Sequence, residues 1–277
     1  MIKDFRLESS LGNIISISAN GLENIEFAPC LIYVHGFKGF KDWGFIPFLS
    51  DYFANEGYFV LTFNFSHNGI GSDNFELTEK EKFAKNTISL EVSELVDLIN
   101  AYLSNYFGKT LNQKIGIIGH SRGGAVTLLS ANKIKVDSYA VWASIAKIDR
   151  YTSRMKKEWR EKGFIEVINS RTNQMMKLDV SVLDDIEGIL NSSFDLEHSV
   201  ENLERPLLIV QGEEDLTVPI TEAEMILNWS NKEISKLVKI PNTGHTFDVV
   251  HPFVQSTPKF EKVLDETNKF FQLNLKS

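Results

Sequence analysis

The 277 residues carry a net charge of −8, with 43% hydrophobic and 24% charged side chains. This balance excludes a disordered or fibrous chain and offers no basic field for a nucleic-acid backbone. The apolar runs at 58–65 and 114–119 are strand length and too short for a membrane span. The opening MIKDFRLESS lacks the apolar stretch of a secretory signal, and the lone Cys30 forbids an internal disulfide. A cytoplasmic, enzyme-sized body is expected, without nucleic-acid partner or membrane span.

IKDFRLES and GNIISIS alternate apolar and polar residues around a polar turn, the pattern of an antiparallel hairpin. Six short, nearly continuous apolar runs follow: CLIYVHG (30–36), YFVLTFNF (58–65), KIGIIGH (114–120), SYAVWAS (138–144), PLLIVQG (206–212) and KLVKIPN (236–242). Such runs suit strands buried on both faces of a parallel sheet. Helices are predicted between them over 45–55, 86–105, 122–134, 221–230 and 257–272, the second with Ile88, Val92, Leu95, Val96 and Ile99 on one face. Strand and helix in alternation give a doubly wound α/β fold with right-handed crossovers, and its reactive groups gather at the carboxyl ends of the strands.

Residues 145–203 break this rhythm. Ile148, Tyr151, Met155 and Trp159 recur at helical spacing, FIEVINSRTNQMMKL has two β-like arms around a polar turn at 169–173, and SVLDDIEGILN and DLEHSVENL are helical in pattern. Long structured insertions in compact domains are usually functional. The segment therefore reads as a cap over the sheet's carboxyl edge, with the core formed by 1–144 and 204–277.

Gly119-His120-Ser121-Arg122-Gly123 matches G-x-S-x-G between an apolar strand and the helical GGAVTLLSANKI. A reversal this sharp strains its central residue and needs small neighbours, and it holds the hydroxyl above the sheet. A serine hydroxyl needs a general base, and the base needs an acid to orient it. Of six histidines, His245 in PNTGHTF follows the last core strand; His35, His120, His67, His198 and His251 are worse placed. For the acid, Asp215 lies in GEEDLTVP between Ser121 and His245, in the chain order Ser, acid, His. Glu213 and Glu214 read as solvated loop charges, and Asp248 is a weaker rival only three residues from the base. Backbone amides must also face the oxyanion. Arg122 supplies one as the residue after the serine, and Phe37 in the His35-Gly36-Phe37 turn supplies the other.

Together His35-Gly36-Phe37, the Ser121 pentapeptide with Gly124, Gly212-Glu213-Glu214-Asp215 and Gly244-His245 resemble the α/β-hydrolase superfamily. The likeness is to bacterial serine esterases related to cinnamoyl or feruloyl esterases and to acyl-peptidase-like hydrolases. It implies an α/β-hydrolase fold with about eight strands, no metal or organic cofactor, and an acyl-enzyme route for small or aromatic acyl esters. Ser121 would be nucleophile, His245 base, Asp215 acid, and the amides of Phe37 and Arg122 the oxyanion hole. Peptidase, thioesterase or acyltransferase activity would use the same triad, whereas a non-catalytic binding member would lack one of its residues. Where many relatives have an Arg-Gly-x-Gly loop after the next strand, this chain reads Ser66-His67-Asn68-Gly69-Ile70-Gly71.

Residues 147–162 hold seven basic against three acidic side chains. Interleaved with apolar positions, these charges suit a solvated helix face; the sharper alternative is a lid that attracts an acidic ester. Tyr151, Met155 and Trp159 are candidates for a substrate-pocket wall or for the cap's own packing stripe.

Overall fold

Strands β1 (Lys3–Glu8) and β2 (Ile14–Asn20) pair antiparallel, Phe5 opposite Ile17; the computed structural model describes residues 2–71, 76–169 and 174–276. There follow β3 (Cys30–Val34), α1 (Ile46–Asn55), β4 (Phe59–Asn64), α2 (Lys80–Ala84), α3 (Ile88–Leu103), β5 (Ile115–His120), α4 (Arg122–Ser130) and β6 (Ser138–Trp142). The next stretch holds α5 (Ser153–Lys162), a hairpin of β7 (Phe164–Asn169) and β8 (Gln174–Asp179), α6 (Val180–Leu190) and α7 (Leu196–Glu201). Strand β9 (Leu207–Gly212), α8 (Ile220–Trp229), β10 (Ser235–Ile240) and α9 (Pro258–Leu275) follow.

Eight strands form one sheet in the order β1-β2-β4-β3-β5-β6-β9-β10. The pairs β1–β2 and β2–β4 are antiparallel and the rest parallel, so β3 to β10 of this sheet end on one edge. This is the α/β-hydrolase fold expected from the sequence. Because side chains alternate along a strand, Cys30, Ile32 and Val34 join the core beneath α3, α4 and α8, while Leu31 and Tyr33 join the core beneath α1 and α9. Both faces are covered, which is why these strands read as unbroken apolar runs.

Side-chain caps set two helix starts, and α9 runs on to Leu275, three residues past its expected limit. Thr87 accepts the Leu90 amide at 3.2 Å and starts α3, and Thr257 accepts that of Phe260 at 3.1 Å and starts α9. Helix α4 ends at Ser130, four residues short of its expected limit. Helix α2 was not anticipated; its five residues are too few to show a helical period, yet they bury Phe83 completely.

The segment between β6 and β9 has the expected two arms, β7 and β8, while residues 170–173 of its polar turn lie outside the described residues. Trp159 anchors this segment. It is fully buried, donates its indole N–H to the Leu178 carbonyl at 3.0 Å and meets Tyr151 edge-on, centroids 5.0 Å apart. Met176, Leu178, Leu183 and Ile186 continue the same core that underlies α3 and α4, so the segment is fused to the sheet's helical layer.

Among the described residues, five of the seven basic residues at 147–162, all but Lys147 and Lys162, have a carboxylate within ion-pair distance. Arg160 reaches Asp184 and Glu187 at 2.9 and 2.5 Å, Arg154 reaches Glu158 at 3.0 Å, and Lys156 pairs with Asp149. The buried Glu222 of α8 accepts from the amides of Ala146 and Lys147 at 2.7 and 3.1 Å and pairs with Arg150 at 2.9 Å. That carboxylate ties the start of the segment to the core. Among the described residues no helix is long and apolar enough to cross a membrane.

Candidate active site

Strand β5 ends at His120 and α4 begins at Arg122, leaving Ser121 at the reversal with φ 58° and ψ −123°. Few side-chain-bearing residues adopt such a backbone, and it persists only where its surroundings enforce it. Here the Ser121 amide donates to the Trp142 carbonyl at 2.9 Å, and the Ser121 carbonyl accepts from Gly124 at 3.0 Å. A Cβ on Gly123 would collide with the Val34 carbonyl oxygen, and one on Gly36 would lie 2.9 Å from Ser121 Cβ. The two glycines thus let the loop after β3 press against the elbow.

The turns after β9 and β10 bring Asp215 and His245 together, His245 Nδ1 lying 2.7 Å from Asp215 Oδ2. A carboxylate only accepts, so Nδ1 carries the proton and Nε2 is left as an acceptor. Asp215 is 4% exposed and well supplied with donors. Its Oδ1 accepts from the amides of Thr217 and Val218 at 2.8 and 2.9 Å, and its Oδ2 also accepts from Gln211 Nε2 at 3.0 Å. Burial pushes the carboxyl up, but His245 and these amides outweigh burial and hold it below the usual range. Ser121 and His245 line one cavity of about 220 Å³, whose wall includes Gly36, Phe37, Trp43 and Asn169.

The other candidates are engaged elsewhere. Asp248 accepts from Thr243 Oγ1 at 2.6 Å, and Glu213 and Glu214 are exposed. His120 donates from Nε2 to the His245 carbonyl at 2.9 Å; burial, then the neighbouring His245, lowers its pKa to about 3. His35 is lowered to about 4, chiefly by burial, and donates from Nδ1 to the Gly36 carbonyl at 3.0 Å. His67 bonds Ser66 Oγ at 2.7 Å, His198 lies on α7, and His251 accepts the Gly44 amide at 2.9 Å.

Phe37 lies in the loop after β3 and Arg122 opens α4 next to Ser121, and their side chains meet, the Arg122 guanidinium lying 5.4 Å from the Phe37 ring centroid. Arg122 Nε donates to Glu91 at 2.8 Å, and its Nη2 donates to the Asn86 carbonyl at 2.9 Å. Phe37 packs on Phe83, centroids 5.4 Å apart. Tyr151 and Trp159 pack the inserted segment, and Met155 is 41% exposed. The cavity over Ser121 is walled by other residues, among them Lys38, Trp43 and Asn169, which the sequence pattern did not single out. Among the described residues no cluster of three or more His, Cys, Asp or Glu side chains could hold a metal ion.

No curated protein matches the chain in sequence. Similar solved structures include GrgF from Penicillium sp. sh18, with 16% identity, a TM-score of 0.75 and coverage of 100% of both chains. Est1E from Butyrivibrio proteoclasticus, solved with ferulic acid bound, has 18% identity and a TM-score of 0.72 over 99% of this chain and 100% of that one. The esterase domain of a Rhodothermus marinus protein has 16% identity and a TM-score of 0.66 over 99% of each chain. A sequence model described as the prolyl oligopeptidase family matches residues 43–276, and the chain belongs to that family of hydrolases.

Proposed function

We propose that the protein hydrolyses carboxylic esters, with small or aromatic acyl groups, through Ser121, His245 and Asp215. The observation that carries this reading is the strained Ser121 sharing a cavity with a histidine whose Nδ1 is bonded to a buried carboxylate at 2.7 Å. Ser121 Oγ attacks the ester carbonyl as His245 Nε2 takes its proton, and the oxyanion is met by the amides of Phe37 and Arg122. Collapse expels the alcohol, which takes that proton from Nε2. Water, deprotonated by the same nitrogen, then attacks the acyl-serine, and collapse releases the acid as Ser121 Oγ takes the proton back from Nε2. Asp215 holds the tautomer and stabilises the imidazolium.

Residues 145–203 act as the cap in this reading and 1–144 with 204–277 as the hydrolase core; Lys38 Nζ donating to the Ile168 carbonyl at 2.5 Å, and Asn169 in the cavity wall, support it. The likeness to Est1E, solved with ferulic acid bound, supports an ester substrate. A fluorophosphonate probe tests the nucleophile: wild type is labelled and Ser121→Ala is not, and an unlabelled, well-folded wild type would sink the reading. Membership of the prolyl oligopeptidase family favours amide cleavage as a second reading, decided by comparing kcat/KM on aminoacyl amides with that on esters.

A further inference from the structure

Three aromatic residues, Tyr33, Phe37 and Trp43, are among those lining the cavity over Ser121. Tyr33 is almost fully buried and Phe37 is packed against Phe83. Trp43 is only half-buried. Its indole lies nearly parallel to the His251 imidazole, with 13° between the planes and 5.7 Å between centroids, and Phe45 meets it edge-on at 5.5 Å. His251 is itself fixed, since its Nδ1 accepts the Gly44 amide at 2.9 Å and Phe40 packs edge-on at 5.5 Å. Residues 40–45 thus wrap round a histidine 207 positions away from Gly44.

An indole immobilised in this way has lost its rotamer freedom before a ligand arrives, so a ring that packs on it gains contact at a smaller entropic cost. The cavity measures about 220 Å³, and an apolar cavity of about 150 Å³ is enough for benzene. One ring therefore fits beside the reacting carbonyl. We infer that Trp43, seated on His251, is the residue that selects esters bearing an aryl ring. The inference rests on the ester-hydrolase reading, which already includes aromatic esters, and adds to it the side chain that recognises the ring.

The test compares wild type, Trp43→Ala and Trp43→Phe on methyl benzoate, phenyl acetate, methyl cyclohexanecarboxylate and methyl acetate. Each variant is compared with wild type on the same ester, so intrinsic leaving-group reactivity cancels. For Trp43→Ala the loss of kcat/KM on at least one aryl ester is expected to exceed that on the two non-aryl esters by about tenfold. Trp43→Phe, which keeps a ring, recovers part of it. Whichever aryl ester suffers identifies the acyl or the alcohol half as the bound ring. Equal losses on all four esters, or a loss on the cyclohexane ester as large as that on the more affected aryl ester, would overturn the assignment. Binding of methyl benzoate and phenyl acetate to Ser121→Ala, followed by NMR, separates the two readings. Ring binding that disappears in the Ser121→Ala/Trp43→Ala protein supports the Trp43 assignment even without ester turnover, and ring binding indifferent to Trp43 refutes it.

Discussion

The Arg122 guanidinium sits 2.8 Å from the Glu91 carboxylate, with the two side chains 11% and 3% exposed. Asn86 closes the cluster, donating from Nδ2 to Glu91 Oε1 at 2.7 Å and accepting Arg122 at its carbonyl. The residue whose amide would face the oxyanion is therefore held by its own side chain to α3, while the same guanidinium lies over Phe37, which would supply the second amide.

Glu91→Ala leaves that guanidinium buried without a counter-charge, which costs about 3–5 kcal/mol. A fall in the urea midpoint is expected, together with a fall in kcat larger than any rise in KM, because the displaced amides act on the transition state. Glu91→Gln keeps a hydrogen-bond acceptor and should lose less of both. Unchanged stability in Glu91→Ala would show that the pair does not hold the elbow.

Asp215→Asn should leave the fold intact, because the amide oxygen can still accept from Thr217 and Val218. It can no longer enforce an Nδ1-protonated His245, and kcat for ester hydrolysis should drop by about 10⁴. Single-turnover acylation with a chromogenic ester reads this directly, and activity equal to wild type would remove Asp215 from the triad.

Glu94 makes stability depend on pH. Burial is the main cause that pushes its carboxyl from 4.5 up to about 7, against the Ser66 hydroxyl and amide that bond it. A carboxyl raised on folding binds its proton more tightly in the native state, so its contribution is complete below 4.5 and is lost as pH rises through 7. The loss should be about 3 kcal/mol at most. Asp215, with a lowered pKa, works in the opposite sense, and its contribution fades only as pH falls below 3.8. The buried His35 and His120, with lowered pKa values, gain stability over the same range in both proteins, so the prediction is a difference: between about pH 5 and about pH 8 the denaturant midpoint of wild type should lose ground to that of Glu94→Gln, and a constant difference would remove Glu94 from the pH dependence.

Legibility followed sequence distance. The elbow was readable because strand, turn and helix are contiguous around Ser121, and Asp215 and His245 because each lies in the turn after a strand, β9 buried throughout and β10 an edge strand that exposes Lys236 and Lys239. The support beneath them was not. Glu91 and Asn86 lie 31 and 36 positions before Arg122, and Glu222 lies 76 positions after Ala146; side chains this far apart leave no periodicity. The Ser66–Gly71 loop looked like a departure from the pattern of relatives, and the group that holds it, Glu94, is 28 positions along on another helix.

The stripe of Tyr151, Met155 and Trp159 shows why spacing could not decide its role, since a packing face and a pocket wall require the same apolar residues at the same period. Burial separates them. Trp159 is fully buried with its N–H bonded to Leu178, whereas Met155 is 41% exposed. Trp159→Ala should cost about 3–5 kcal/mol and shift thermal unfolding, while Met155→Ala should move stability by less than about 0.5 kcal/mol. If Trp159 acts only by holding the inserted segment, Trp159→Phe should recover much of the stability, and the ratio of kcat/KM between aryl and acetyl esters should stay at its wild-type value. A ratio that changes in Trp159→Phe while the melting temperature does not would return this side chain to the pocket wall.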